Sequence, residues 1–200
     1  MLNKTRQQIK NQSGITVRII SNFIHRKNQF IYKRMIKLLD LQATDRILEI
    51  GSSLGITIGL ITSECVGCEI YGIETSEPKF IESVKRNKQS IDAHKVHLSN
   101  SDFMNTTMAD KTFDKVFCNN LAYFGDSLQP SFEKIKSLLK DEGTFYFFMK
   151  GNKEEEKFKF SKKENYTQFP IEQIVTTLKA AGFKKVYYFI ERGYFIRAVK

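Results

Sequence analysis

The chain has 200 residues and a mass of 23.3 kDa, is 41% hydrophobic and 12% aromatic, and contains only three prolines. That composition fits one folded domain of ordinary size and excludes a disordered tail, a collagen-like chain and a low-complexity linker. The formal charge of +10 is concentrated, because residues 1–40 hold nine Lys or Arg against the one acid Asp40 while the rest of the chain is nearly balanced.

Three cysteines, Cys65, Cys68 and Cys118, are sparse and odd in number, which reads as ordinary thiols in a reducing compartment rather than a disulfide framework. Apolar runs stay well short of a membrane span, and the basic, polar start lacks the apolar stretch of a secretory signal. The expected location is the cytoplasm.

Between Ile15 and Leu39 the apolar positions Ile19, Ile20, Phe23, Ile24, Ile31, Met35, Leu38 and Leu39 follow helical spacing. They predict two helices that break near Asn28, forming a basic N-terminal cap over residues 1–40. From there short β-rich runs alternate with helical ones. Strands are expected at 46–50, 69–73, 95–98, 115–118 and 144–149, and helices at 54–64, 78–89, 128–139 and 170–181, with Pro78 and Pro170 where a helix start tolerates proline. Residues 150–169 are charged and aperiodic, and read as a flexible surface insertion. The end of the chain, "KKVYYFI", then Glu191-Arg192-Gly193, then "YFIRAVK", reads as a hairpin. The whole predicts an α/β fold: a Rossmann-like, doubly wound, mostly parallel seven-stranded sheet with an antiparallel C-terminal hairpin strand. No repeat or linker divides it, so residues 1–200 read as a single domain with a core over 41–200.

Sheets of this kind bind ligands at the carboxyl ends of their strands. "RILEIGSSLGITIGLIT" is a strand carrying the acid Glu49, a turn with Gly51, Ser53 and Gly55, and a helix. Small residues there let the backbone approach a ligand, although a tight strand-to-helix turn alone also needs glycine. Glu74 follows the second strand about twenty residues after that turn, where a carboxylate can accept from both hydroxyls of a ribose. A dinucleotide site would share this acid, yet its G-x-G-x-x-G fingerprint is not met: the pattern is Gly51-x-Ser53-x-Gly55, with Ile56 after it. Asp102 and Phe103 follow the third strand. A carboxylate beside an aromatic can accept from an exocyclic amine while the ring packs on a purine, and the plainer reading of Asp102 is a turn-capping acid. The fourth strand runs into Asn119, Asn120, Tyr123 and Phe124.

With these motifs in order, the chain from about Tyr32 to its end resembles a class I S-adenosylmethionine-dependent methyltransferase of the small-molecule type. The resemblance implies that Glu49, Gly51, Ser53 and Gly55 form the first cofactor motif, with serine in place of the usual middle glycine. It implies that Glu74 binds the ribose, that Asp102 and Phe103 contact the adenine, and that Asn119 lines the methionine end. Methyl transfer from a sulfonium is mainly a matter of in-line positioning, so a dedicated base is optional. Tyr123 is the candidate catalytic residue. Tyr32, Asn120 and Phe124 are candidates for the acceptor side, as is His25.

The basic cap suggests an acidic small-molecule acceptor. It also admits a nucleic-acid methyltransferase tracking phosphates or a peripheral membrane contact. "CNNLAYF" lacks the prolines favoured where a base is modified. A non-catalytic cofactor-binding relative and a nicotinamide-dependent oxidoreductase are further alternatives. Cys65-Val66-Gly67-Cys68 lacks the second pair of ligands that structural zinc wants and reads as two ordinary thiols ahead of a redox pair, and His94 and His97 flank the third strand without a ligand set, so no metal is expected.

Overall fold

The computed structural model describes residues 28–119, 128–150 and 169–200. The first expected N-terminal helix, His25, Asn120, Tyr123, Phe124 and residues 151–168 of the expected insertion lie outside them. By internal contacts the chain divides into two compact units, Met1–Thr106 and Thr107–Lys200.

In the first unit a helix over residues 28–39, α1, buries the predicted Ile31, Met35 and Leu39 and also Ile36, while the predicted Leu38 is half-buried. It leads to β1 (Arg46–Ile50), α2 (Ile56–Glu64), β2 (Glu69–Ile73), α3 (Glu77–Arg86), α4 (Lys88–Asp92) and β3 (Val96–Ser99). β1 pairs in parallel with β2, Ile50 beside Ile73, and β2 with β3, Ile73 beside Ser99, so the carboxyl ends of all three strands stand level. Ile47, Leu48 and Ile50 are buried on both faces of β1, the pattern of a strand covered above and below.

Helix α3 begins with Glu77-Pro78 and ends with Lys85-Arg86, which suits both proline geometry and the helix dipole. It stops three residues before the predicted end. Asn87 breaks it by turning its side-chain Nδ2 back to the Ser83 carbonyl at 2.9 Å, and α4 follows as a separate turn. The link from β3 to the second unit contains only a single 3-10 turn, Phe103–Asn105.

The reading of Cys65 and Cys68 as two separate thiols is corrected. They form a disulfide, with Cα atoms 5.5 Å apart. α2 ends at Cys65, and Val66-Gly67 folds the chain back so tightly that a side chain at Gly67 would strike the Ala43 carbonyl. His97 also has a structural use. Its Nε2 lies 2.9 Å from Glu69 Oε1, its ring stacks on Tyr71 at 4.6 Å, and Arg46 Nε sits 2.9 Å from Glu69 Oε2. The Tyr71 hydroxyl, with Arg46 and His97, holds Glu69 below the usual carboxylate range against the opposing effect of burial.

The second unit contains β4 (Phe113–Cys118), α5 (Leu128–Leu138), β5 (Leu139–Met149), α6 (Ile171–Ala180), β6 (Lys185–Ile190) and β7 (Tyr194–Val199). β4 and β5 pair in parallel, whereas β7 runs antiparallel to both β5 and β6, which is the predicted hairpin. β5 starts five residues earlier than expected. Leu139 pairs with Phe113, residues 140–143 then loop out with Glu142 left-handed at φ 63°, and Thr144 resumes the ladder opposite Lys115. The predicted turn therefore exists as an excursion within the strand. Phe145 and Phe147 stack at 5.0 Å, and Phe132 of α5 packs against both, with ring centroids 6.0 and 6.1 Å away. Among the described residues the strands follow the order β3-β2-β1-β4-β5-β7-β6, a seven-stranded, mostly parallel sheet.

Candidate functional site

The residues singled out at the ends of β1, β2 and β3 come together within the first unit. The turn after β1 alternates left-handed residues: Gly51 at φ 76°, Ser53 at φ 51° and Gly55 at φ 66°. Gly51 and Ser52 both donate to the Ile73 carbonyl at 2.9 Å, which ties the turn to the end of β2. Ser53 N–H donates instead to Glu74 Oε2 at 2.8 Å.

Glu74 is the hub. Its second oxygen, Oε1, accepts from Ser76 N–H at 2.8 Å, its own N–H donates to the Ser99 carbonyl at 3.1 Å, and its carbonyl accepts from Asn100 Nδ2 at 2.7 Å. The carboxylate thus ties the turn after β1 to the turn after β2, the Glu74 backbone adds the link to the end of β3, and the residue is 1% exposed. A carboxylate offers about four lone-pair sites, so each oxygen retains capacity for one more donor. Those two acceptor positions match the two hydroxyls of a ribose.

Two α3-side residues that sequence reasoning missed hold the turn from behind. Arg86 Nε donates to the Leu54 carbonyl at 3.0 Å, and Asn87 Nδ2 to the Gly55 carbonyl at 3.0 Å. Asn87 and Ser83 are buried, and they fill the space where a side chain at position 55 would go. A buried amide directly after a helix was the available signal, but its partner lies 32 residues away.

Ser53 occupies, as a non-glycine residue, a conformation that costs an L-residue about 1–2 kcal/mol. Its contact with Glu74 is made by backbone, so Ser53→Gly keeps it while relieving the strain. Because glycine also gains freedom in the unfolded chain, the expected net gain is about 0.5–1 kcal/mol, or about 2–3 °C in thermal melting. A lower melting temperature than the parent's would show that the serine is preferred here.

Asp102 takes the plainer of its two expected roles within this structure: Oδ1 caps the 3-10 turn by accepting from Met104 N–H at 2.8 Å, while the residue stays exposed. Phe103 is 3% exposed, with its ring in the core. Glu49 is buried at 1% exposure, and Tyr32 of α1 lies within its electrostatic reach. Burial pushes the Tyr32 phenol above its ordinary value, Glu49 adds to that, and a hydrogen bond from Asn28 partly offsets it. Tyr32 is therefore a neutral phenol at physiological pH. Asn119 follows β4 in the second unit.

A family model described as a methyltransferase domain matches residues 48–147, half of the chain, from β1 through most of β5. The chain belongs to this family, the class I S-adenosylmethionine-dependent methyltransferases. Among solved structures it is similar to a methyltransferase from Aquifex aeolicus described as SAM-dependent, at 13% identity and TM-score 0.70, covering 94% of this chain and 98% of that one. A methyltransferase solved with the Haloferax volcanii Trm112 activator matches at 13% identity and TM-score 0.73, over 89% of this chain and 92% of the other. The Haemonchus contortus phosphoethanolamine N-methyltransferase 2, solved with phosphomonomethylethanolamine and S-adenosylhomocysteine, matches at 21% identity and TM-score 0.66. That match covers 82% of this chain, which spans only 38% of the Haemonchus enzyme's length. No match was found among curated protein sequences.

Proposed function

We propose that this protein transfers a methyl group from S-adenosylmethionine to a small-molecule acceptor. The observation that carries the reading is Glu74, a carboxylate set between the left-handed turn after β1 and the end of β3, with acceptor capacity on both oxygens. Bound there, the cofactor supplies a methyl carbon on a sulfonium, which needs no further activation. The chain's own part is orientation, and holding two reactants in line contributes several kcal/mol, up to about 7–11 in well-oriented systems. In this reading Glu74 fixes the ribose, the turn held by Arg86 and Asn87 keeps the backbone close to it, and Asp102, exposed beyond β3, accepts from the adenine amine. Tyr32, a neutral phenol, serves the acceptor as a hydrogen-bond donor from the cap. Asn119 toward the methionine end, Tyr123 as the acceptor-positioning hydroxyl, and Asn120 and Phe124 as acceptor contacts complete the proposal on sequence grounds.

The small-molecule reading is supported by the acceptor of the Haemonchus neighbour, which is a small phosphorylated amine. An acidic acceptor of that kind suits the positive surplus of residues 1–40. The same surplus is what favours nucleic acid as the second reading. Calorimetric titration with S-adenosylhomocysteine tests the cofactor, with micromolar binding expected and silence at millimolar concentration overturning the proposal. Transfer of labelled methyl from the cofactor into cell extract then separates the acceptors. Label is expected in the small-molecule fraction, and label confined to nucleic acid would establish the second reading instead.

A further inference from the structure

The last strand of the sheet order, β6, presents a self-complementary outer edge. Lys200 N–H donates to the Gly143 carbonyl at 3.0 Å, so in the alternating antiparallel ladder Ala198, Ile196 and Tyr194 direct their backbone groups to β5. Val199, Arg197 and Phe195 then face β6, where their register partners are Lys185, Tyr187 and Phe189. The bond from Glu191 N–H to the Gly193 carbonyl, at 2.8 Å, has the same phase. It follows that Val186, Tyr188 and Ile190 direct their N–H and C=O groups away from the sheet. On this strand Tyr187 is 54% exposed, Tyr188 49% and Ile190 69%. An edge of this length and composition is a template for another strand.

We propose that β6 pairs antiparallel with β6 of a second copy of this chain, about a two-fold axis passing through Tyr188. Facing side chains in a sheet share a face, so a two-fold axis perpendicular to the sheet can only set residues of equal parity opposite each other. Centred on Tyr188, the pairing sets Val186 against Ile190, Tyr187 against Phe189 and Tyr188 against its own counterpart, and every outward N–H and C=O finds a partner. It also sets Lys185 of each copy against Glu191 of the other. Centring on Tyr187 instead sets Lys184 against Ile190 and Phe183 against Glu191, which matches no charges. Charge complementarity therefore selects the Tyr188 register. The pairing uses the same edge on both copies, so it closes at two. Exposed ion pairs contribute little attraction, and their role is to choose the register, while the strand bonds and the covered Tyr187, Tyr188 and Ile190 hold the pair.

Sedimentation equilibrium on the full chain tests this from micromolar to several hundred micromolar protein. The expected mass is twice 23.3 kDa at the upper concentrations. Lys185→Glu places like charges opposite one another and is expected to weaken the dimer by about tenfold or more with an unchanged circular dichroism spectrum. Adding Glu191→Lys to that variant restores opposite charges and should restore the dimer. A mass of 23.3 kDa throughout the range, or assemblies larger than two, would overturn the proposal. So would a parental dimer whose stability is indifferent to Lys185→Glu, or a double variant that stays monomeric.

Discussion

Glu74→Ala is expected to lower both cofactor affinity, by a hundredfold or more, and folding stability, by about 2–4 kcal/mol. The stability term follows from the geometry. The carboxylate is the acceptor for Ser53 N–H and Ser76 N–H, both at 2.8 Å, and alanine leaves both donors without it in a buried setting. Each donor stranded in this way costs about 1–3 kcal/mol. The affinity term follows from losing a charged acceptor for two hydroxyls, since hydrogen bonds to charged groups are worth about 1.5–3 kcal/mol each. Because one substitution moves both quantities, Glu74→Gln is the companion variant. It keeps the shape and one oxygen, so it should lose roughly half as much stability while still losing most of the affinity. Urea denaturation and calorimetry with S-adenosylhomocysteine read the two separately. If the glutamine variant binds the cofactor as tightly as the parent, the carboxylate shapes the turn and does not hold the ribose.

The structural part of this geometry was only half visible in the sequence. The placement of Glu74 was legible because "EIYGI" is a short apolar run bounded by polar residues, and β1 and β2 appear with the predicted ends. An acid directly after such a run has to stand at the carboxyl edge of the sheet. Its bond to Ser53 N–H was not legible, because it depends on a left-handed backbone at a residue that rarely adopts one. The clamp formed by Arg86 and Asn87 was hidden for a related reason. A helix pattern tells which face is apolar, and these residues act through polar tips that reach main-chain carbonyls of a distant turn. Local spacing misled at Cys65 and Cys68, since C-x-x-C serves thiols, metals and disulfides alike, and only the fold-back at Val66-Gly67 decides among them. β5 was underestimated because the pairing of Leu139 with Phe113 is a long-range match that no window on the sequence contains.

Gly55→Ala should have the opposite sign to Ser53→Gly, although both positions belong to one turn and share a left-handed backbone. The difference lies in what surrounds them. Ser53 is half-exposed, and the strain of its left-handed backbone is what opposes it. At Gly55 an added methyl group would overlap Ser83 Oγ and Asn87 Nδ2, and the Ser83 Cβ stands only 3.1 Å away. Overpacking of this kind costs about 1–3 kcal/mol. Left-handed strain adds about 1–2 kcal/mol, of which the reduced freedom of the unfolded chain returns a part. The expected total is about 3 kcal/mol, or about 6–12 °C in melting temperature for a chain of this size. Pushing Asn87 aside also breaks its bonds to the Gly55 and Ser83 carbonyls, so the turn should loosen against α3 and cofactor affinity should fall with it. Hydrogen exchange localises the effect: faster exchange at Ser53 and Gly55, with β6 and β7 unchanged, is the expected pattern. Uniformly faster exchange across both units would mean that the damage is global and that the clamp does not act on the turn in particular.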